Sequence, residues 1–323
     1  MNINLLIDFG STYTKVLAVD IENELIVDRA QSLTTIDTGI MDGLNNALEI
    51  LFSKNPQLKE TNITRKLACS SAAGGLRIIA VGLVPELTLE AGRRAALGAG
   101  AKIVGSFSHE IDDEALAEIE ENPCDLIMLC GGTDGGNKRV ILHNANMLAK
   151  LKKDVIVLVA GNRVVKNEIK RILEGSGKQV VLTENVLPEV NEINVEPARE
   201  AIRNIFMERI VKSKGLNDAE AFVGNILMPT PLATLKAAQL LAEGTKKESG
   251  VGELLIIEVG GATTNIHSIA HGYPKTSTTH QKGLPEPYAK RTVEGDLGIR
   301  WNARTIYELL RIDLLQNLTD LKF

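Results

Sequence analysis

The chain has 323 residues, of which 44% are hydrophobic, 24% charged and 3% aromatic, with 36 basic against 41 acidic side chains and a net charge of −5. That length calls for two domains or one large one, and the composition for a soluble protein with a sizeable core. Few aromatic residues argue against base-stacking platforms, the acidic balance against a nucleic-acid or membrane surface, and the lack of any apolar run of roughly 18 residues against a transmembrane helix.

The first predicted element is a hairpin. Leu5-Leu6-Ile7 is an apolar run that ends in Asp8, and Val16 to Val19 is a second run that ends in Asp20. The polar turn between them, from Phe9 to Lys15, is too short for a helix. Gly10 lets the backbone approach a ligand closely, and Ser11, Thr12 and Thr14 can donate to phosphate oxygens. Lys15 adds positive charge, and Asp8 at the strand end can hold Mg2+ through water. An ordinary solvated turn is the plainer alternative. Because the strand starts by Leu5, the sequence leaves no room for a signal peptide.

Leu25 to Ala30 predicts a third strand, completing an antiparallel meander. Asp42 reads as an N-cap, followed by Leu44, Ala47, Leu48 and Leu51 at helical spacing. Residues 63 to 71 and 76 to 84 predict strands on either side of Ala72-Ala73-Gly74-Gly75. Then come a helix over 88–99, a strand over 101–107 and an acidic helix over 112–121. After these come strand and helix pairs at 125–130 and 137–151 and at 155–160 and 164–174, and a strand at 179–183. Repeated strand-helix units predict an open parallel sheet, an α/β subdomain inserted over residues 85–190. Within it, Gly131-Gly132-Thr133-Asp134-Gly135-Gly136 follows a strand, where open sheets bind ligands, and a helix from Asn137 would aim N–H groups at an anion. A tight strand-to-helix turn is the alternative, and no Walker motif is present.

Residues 186–197 form a polar linker with Pro188 and Pro197, taken as the boundary between a first lobe and a second. A helix over 198–211 follows it, and Pro229 and Pro231 set a turn before further helical spacing. Leu254 to Ile257 is then an apolar run that ends in Glu258. A turn of Gly260, Gly261, Ala262, Thr263, Thr264 and Asn265 leads into a strand from Ile266. The device of Asp8 to Lys15 is thus repeated about 250 residues later, and two facing hairpins can clasp one polyphosphate. Residues 272–294, with Thr276 to Thr279 and the basic pair Lys290-Arg291, read as an exposed loop with partner or regulatory potential, a disordered excursion being the alternative. Glu294 or Asp296 would reach toward the phosphate cleft, and Asn302 starts a helix. His267 and His271 have i,i+4 spacing but straddle a strand end, so they do not predict a metal pair. Cys69, Cys124 and Cys130 lack paired spacing and predict reduced thiols in a cytoplasm, with Cys130 a small buried residue.

The ordered pair of hairpins resembles the first and second phosphate motifs of the actin-like ATPase superfamily, which includes actin, sugar kinases, acetate kinase and the heat-shock chaperone ATPases. The second motif departs from the usual pattern in opening with Glu258 rather than Asp, and in carrying Thr264 and Asn265 where a further Asp is common. Over its whole length the chain is similar to the MutL/GlmL group, accessory proteins of adenosylcobalamin-dependent glutamate mutase and related aminomutases. The resemblance is carried by CGGTDGGN at 130–137, VLVAGN at 157–162, NILMPTPLA at 225–233 and KRTVEGDLGIRWNA at 290–303. It implies a duplicated α/β, actin-like (ribonuclease H-like) fold with a first lobe core over 1–84, the insertion over 85–190 and an incomplete second lobe over 191–323. It also implies a C-terminally shortened form, since no Gly-Gly adenosine motif follows residue 269.

By the same resemblance the ligands are ATP or ADP with Mg2+. Asp8, Lys15 and Glu258 would be catalytic, and Asp8 and Glu258 would also face the metal. Gly10, Ser11, Thr12, Thr14, Gly260, Gly261, Thr263, Thr264 and Asn265 would bind nucleotide. The implied partners are mutase subunits, with homo-oligomers open and neither nucleic acid nor membrane involved. No Asp-x-His-x-x-Gly cobalamin signature occurs. Thr230 stands where the chaperone ATPases carry a catalytic glutamate, so a nucleotide binder or scaffold without turnover is an alternative. A small-molecule kinase is a further one, for which no acceptor base is identifiable.

Overall fold

In the computed structural model of the protein, residues 2–35, 39–59, 63–71, 76–213, 217–224, 226–272, 284–294 and 297–300 are described. The chain opens as the expected meander of β1 (Ile3–Phe9), β2 (Tyr13–Asp20) and β3 (Leu25–Leu33). Alternation sets its faces: Ile3, Leu5, Ile7 and Phe9 of β1 are all buried on one side. Against that side α1 (Ile40–Lys54) lays Leu44, Ala47, Leu48 and Leu51. The helix starts before the predicted cap. Asp42 lies in its first turn, where a carboxylate favours the positive end of the helix dipole. Gly39 is the N-cap, and Thr35 braces the first turn from outside the helix, its hydroxyl accepting from Gly43 N–H at 2.9 Å and donating to Gly39 C=O at 2.7 Å. β4 (Ile63–Ser70) then runs parallel to β1.

A second sheet follows, parallel throughout. β5 (Arg77–Gly82), β6 (Lys102–Ser108), β7 (Leu126–Leu129), β8 (Ile156–Val159) and β9 (Gln179–Leu182) are ordered β6-β5-β7-β8-β9. The helices between them are α2 (Glu90–Gly98), α3 (Asp113–Glu121), α4 (Arg139–Ala149) and α5 (Lys166–Gly175). β7 and β8 are buried at every position, as strands covered on both faces must be. Leu126 and Met128 of β7 face one apolar cluster, and Ile127 and Leu129 face the other. β5 pairs with β6 and β7, so this sheet takes in residues upstream of 85, where the sequence division placed its start.

α6 (Glu196–Ser213), longer than predicted, and α7 (Asn217–Val223) lead into β10 (Ile226–Pro229), which pairs parallel with β4 and completes the order β10-β4-β1-β2-β3. The chain therefore returns to the first sheet after residue 191. Pro229 and Pro231 mark not a loop but a direct passage from an edge strand into α8 (Thr230–Glu243). Proline is tolerated at a strand end and in a first helical turn. The third sheet is an antiparallel set of β11 (Leu254–Val259), β12 (Thr264–Ile269) and β13 (Ala289–Glu294), with α8 packed on it through Leu235, Ala238 and Ala242.

β13 corrects the exposed-loop expectation for residues 289–294. Leu284 is also buried, in the core of the parallel sheet. Thr276 to Thr279, Ala72 to Gly75, Asp296 and the helix expected from Asn302 lie outside the described residues. The whole is an α/β fold of two sheet-and-helix lobes, consistent with a duplicated actin-like ATPase arrangement. No helix among the described residues is long and apolar enough to cross a membrane.

Candidate functional site

The two glycine hairpins have the same local structure. In the first, Asp8 lies opposite Lys15 and Phe9 opposite Thr14, and Gly10 N–H donates to Tyr13 C=O at 3.1 Å. In the second, Glu258 lies opposite Asn265 and Val259 opposite Thr264, and Gly260 N–H donates to Thr263 C=O at 2.9 Å. Asp8 and Glu258 are thus equivalent, as are Gly10 and Gly260. A Cβ at Gly10 would fall 2.6 Å from the Tyr13 carbonyl oxygen, so the turn closes only without one. The tips also touch each other: a Cβ at Gly261 would fall 2.3 Å from Thr12 Oγ1.

Between the hairpins lies a cleft of about 420 Å3. Asp8, Gly10, Ser11, Thr12 and Lys15 line one wall, and Glu258, Gly260, Gly261, Thr263 and Asn265 the other. Two predicted residues are not in it. Thr14 and Thr264 sit one position off along their strands, and successive strand residues face opposite ways. Both are buried beneath the turns. Thr14 Oγ1 lies 3.1 Å from Thr34 Oγ1, and Thr264 Oγ1 donates to Leu297 C=O at 2.6 Å.

On the first wall Asp8 is held from three sides. Lys15 Nζ is 3.1 Å from Oδ2, while Thr230 Oγ1 donates to Oδ1 at 2.7 Å. The Cys69 thiol approaches Oδ1 at 3.6 Å. Burial, and then the Asp8 charge, push the Cys69 thiol up to about 12, so it is a protonated donor rather than a nucleophile. Burial alone pushes Cys130 up to about 12 as well, which agrees with the reading of a small buried residue.

On the second wall Glu258 faces His267, whose Nε2 is 3.5 Å from Oε2. The His267 ring, opposed by burial and aided by Lys15 and by Asn265 Nδ2 at 3.3 Å, holds the Glu258 carboxyl below the usual carboxylate range. His267 is fully buried, and neither ring nitrogen has a well-formed hydrogen bond among the described residues. Arg291 lies directly opposite it on β13, 5% exposed. Burial draws its guanidinium down to about 10, against the pull of Glu258, and it stays charged near neutrality. Residues 297–300 cross the second tip, where Ile299 and Arg300 N–H donate to Gly260 and Gly261 C=O at 3.0 Å each.

In sequence Thr230 reads as a lost carboxylate, whereas the fold uses its hydroxyl to fix Asp8. His267 carries no signal there and Arg291 reads as exposed, yet both are buried at the second wall. The alternation Ala289, Arg291, Val293 puts that arginine on the inner face, a signal hidden by its charged neighbour Lys290.

The glycine-rich turn at 131–136 is tied down from within. Asn162 Nδ2 donates to Gly136 and Asn137 C=O, Asn185 Nδ2 to Gly132 C=O, and Asn137 Oδ1 accepts from Val140 N–H at the start of α4. Those contacts favour the strand-to-helix-turn alternative over an anion site. A larger hollow of about 780 Å3, floored by Leu6, Leu17, Leu67 and Met228, borders Asp8 and Lys15. It is mostly apolar and lacks the paired turns. No group of three or more His, Cys, Asp or Glu side chains among the described residues is gathered to hold a metal ion.

Among solved structures, nucleotide-free acetone carboxylase, from work on the mechanism of ATP-dependent acetone carboxylation, is 15% identical. It covers 91% of this chain and 48% of its own length at a TM-score of 0.43. The ethanolamine utilization protein EutJ from Carboxydothermus hydrogenoformans is 16% identical over 62% of this chain and 90% of its own, at a TM-score of 0.14. Scores this low carry no argument. Sequence similarity is far closer. "Protein MutL" of Clostridium tetanomorphum is 54% identical over 308 residues, which take in 95% of this chain and 66% of that one. The chain thus spans a little under two thirds of that relative's length. The MutL protein family model matches residues 4–322, and on these two findings the chain belongs to the MutL protein family.

Proposed function

We propose that the chain is the nucleotide-binding part of an ATP-driven accessory protein for a cytoplasmic adenosylcobalamin-dependent mutase. One observation carries the nucleotide half: Asp8 and Glu258 occupy the same position in two identical glycine turns whose tips meet across one cleft. The donor set fits a polyphosphate. Thr12 Oγ1 is buried with no partner among the described residues, and Lys15 supplies a cation at the same wall. Two carboxylates on opposite walls fit Mg2+, which keeps several waters and meets protein through one or two carboxylates plus phosphate oxygens. Bound there, the ion would offset phosphate charge.

In this reading Lys15 and the turn amides of Ser11, Thr12 and Gly261 stabilise charge on the transferred phosphoryl group, while the Gly10 and Gly260 amides close the turns. Glu258, kept ionised, orients water, and Thr230 holds Asp8 in place. Thr14 and Thr264 support the turns from beneath. The chain divides into a first lobe, an inserted subdomain and a second lobe, with β5 assigned to the insertion and β10 to the first lobe. Hydrolysis changes the angle between lobes, and that movement loosens a mutase subunit so that damaged cobalamin leaves and intact cofactor enters. Family membership supports this mutase half.

Calorimetric titration with ADP and ATP in Mg2+ tests the nucleotide half. Binding by the parent chain, weakened at least about a hundredfold in Asp8→Ala, is the expected result. A folded parent chain that takes up neither nucleotide would overturn it. A binder without turnover is the second reading, favoured by a hydroxyl, that of Thr230, standing against Asp8 at the head of α8. Saturable binding with no phosphate release, alone or with mutase, would establish that one.

A further inference from the structure

The second hairpin is fastened to a helix outside its own lobe. Arg291 Nη1 donates to Leu97 C=O at 3.0 Å in the last turn of α2 and to Ala101 C=O at 2.9 Å in the turn that joins α2 to β6. Its Nε and Nη2 donate to Asn265 Oδ1 at 3.2 and 2.7 Å. Asn265 Nδ2 in turn donates to Glu258 Oε2 at 3.3 Å. One buried guanidinium therefore links the carbonyl end of a helix in the parallel-sheet subdomain to the polar wall of the cleft. A helix C-terminus carries partial negative charge, so a cation there is favoured, and the guanidinium joins Gly100 N–H as a second donor to Leu97 C=O. The planar fork suits this task, since it serves two acceptors on one side and a third on the other.

The same helix grips the segment before β13 at a second point. Arg94 donates to Pro285 C=O at 2.6 Å and to Glu286 Oε1 at 2.8 Å, and it pairs with Glu90 on its own helix. Leu284 is 2% exposed within the parallel-sheet core. These contacts anchor the segment that leads into the strand of Arg291, so α2 holds both that segment and the arginine itself.

We propose that Arg291 is a positioning residue for the second hairpin and that it couples the cleft to the end of α2. A ligand that orders Asn265 protects the α2 terminus, and a partner that shifts α2 changes the affinity of the cleft. Thermodynamic linkage makes the two effects equal. This deepens the nucleotide reading by giving it a route of regulation, and its ligand-linked half rests on that reading.

Hydrogen exchange on the full chain, with and without ADP and Mg2+, tests the coupling at the amides of residues 99–102. In Arg291→Ala without nucleotide these amides exchange at least about tenfold faster than in the parent. In the parent, ADP slows them, and in Arg291→Ala it does not. Arg291→Lys separates the coupling from simple structural support, and it decides the matter if the alanine variant fails to fold. A single ammonium can satisfy the two carbonyls but cannot also fork to Asn265. Protection of 99–102 without ligand therefore returns in the lysine variant, while the ADP-linked gain stays absent. Unchanged exchange in Arg291→Ala, or a full ADP response in Arg291→Lys, overturns the proposal. If the parent binds no nucleotide, the nucleotide reading fails alone, and the ligand-free comparison still decides whether Arg291 secures α2.

Discussion

Gly261→Val is expected to weaken nucleotide binding by about a hundredfold, the scale on which an ångström of misplacement is felt in catalysis, while its melting temperature is expected to stay within about 4 °C of the parent. Affinity falls because a Cβ at Gly261 would sit 2.3 Å from Thr12 Oγ1 and 3.2 Å from Thr12 Cβ. The clash is between two tips on different sheets, so it is relieved by opening the cleft rather than by straining either core. Thr12→Gly removes the opposing atoms. Joined to Gly261→Val it recovers at least about tenfold in affinity, although Thr12→Gly alone weakens binding by removing a donor, so the two changes are non-additive in a defined direction. Calorimetry on the four proteins measures the cycle. Parent-like affinity in Gly261→Val, or no recovery in the double variant, would falsify the contact between tips as the determinant of cleft width.

That contact could not be read from the sequence, although each hairpin could. Alternating apolar runs ending in a carboxylate, with glycine at the turn, are local signals, and both hairpins form with the expected strands. The parallel sheet was legible for the same reason, since its strand-helix units repeat and its central strands are continuous apolar runs. What failed was assignment across distance. β5 and β10 are short apolar segments whose partners lie far off in sequence, and nothing local tells a strand which sheet it joins.

At the site, residue types were legible and side-chain direction partly so. Asp8, Lys15, Glu258 and Asn265 reach the cleft because they sit opposite one another in register, whereas Thr14 and Thr264 are one residue out of phase. A strict period-two count along each second strand, from Lys15 and from Asn265, would have excluded both threonines. Thr230, His267 and Arg291 were hidden for a different reason. Their roles arise from contacts between elements separated by 222 residues for Thr230 and Asp8, and by 190 for Arg291 and Ala101. Only the assembled lobes create those contacts.

Gly82→Val is expected to remove about 3 kcal/mol or more of stability from the parallel sheet, the upper range for overpacking a core position. Gly82 ends β5, where the chain turns through residues 85–89 into α2. A Cβ there would fall 2.6 Å from both Leu89 N and Leu89 Cα, and 2.7 Å from Leu89 Cβ. Two of these are backbone atoms, so rotating a side chain cannot make room. Nor can the turn drift away, because Thr88 Oγ1 accepts from Leu83 and Val84 N–H at 2.8 and 3.1 Å, and Leu89 is itself buried. The substitution must part β5 from α2, which opens the core that Ile78, Ala91 and Ala95 share. Urea unfolding followed by far-ultraviolet circular dichroism measures the loss, and hydrogen exchange over 77–82 and 126–129 locates it. Gly175→Ala is the matched control. It ends α5 with open space around the new atom, so it is expected to stay within about 1 kcal/mol of the parent and to favour the helix. If Gly82→Val also stayed within that margin, the close approach of β5 to the turn would not be a constraint on this fold, and glycine there would need another reason.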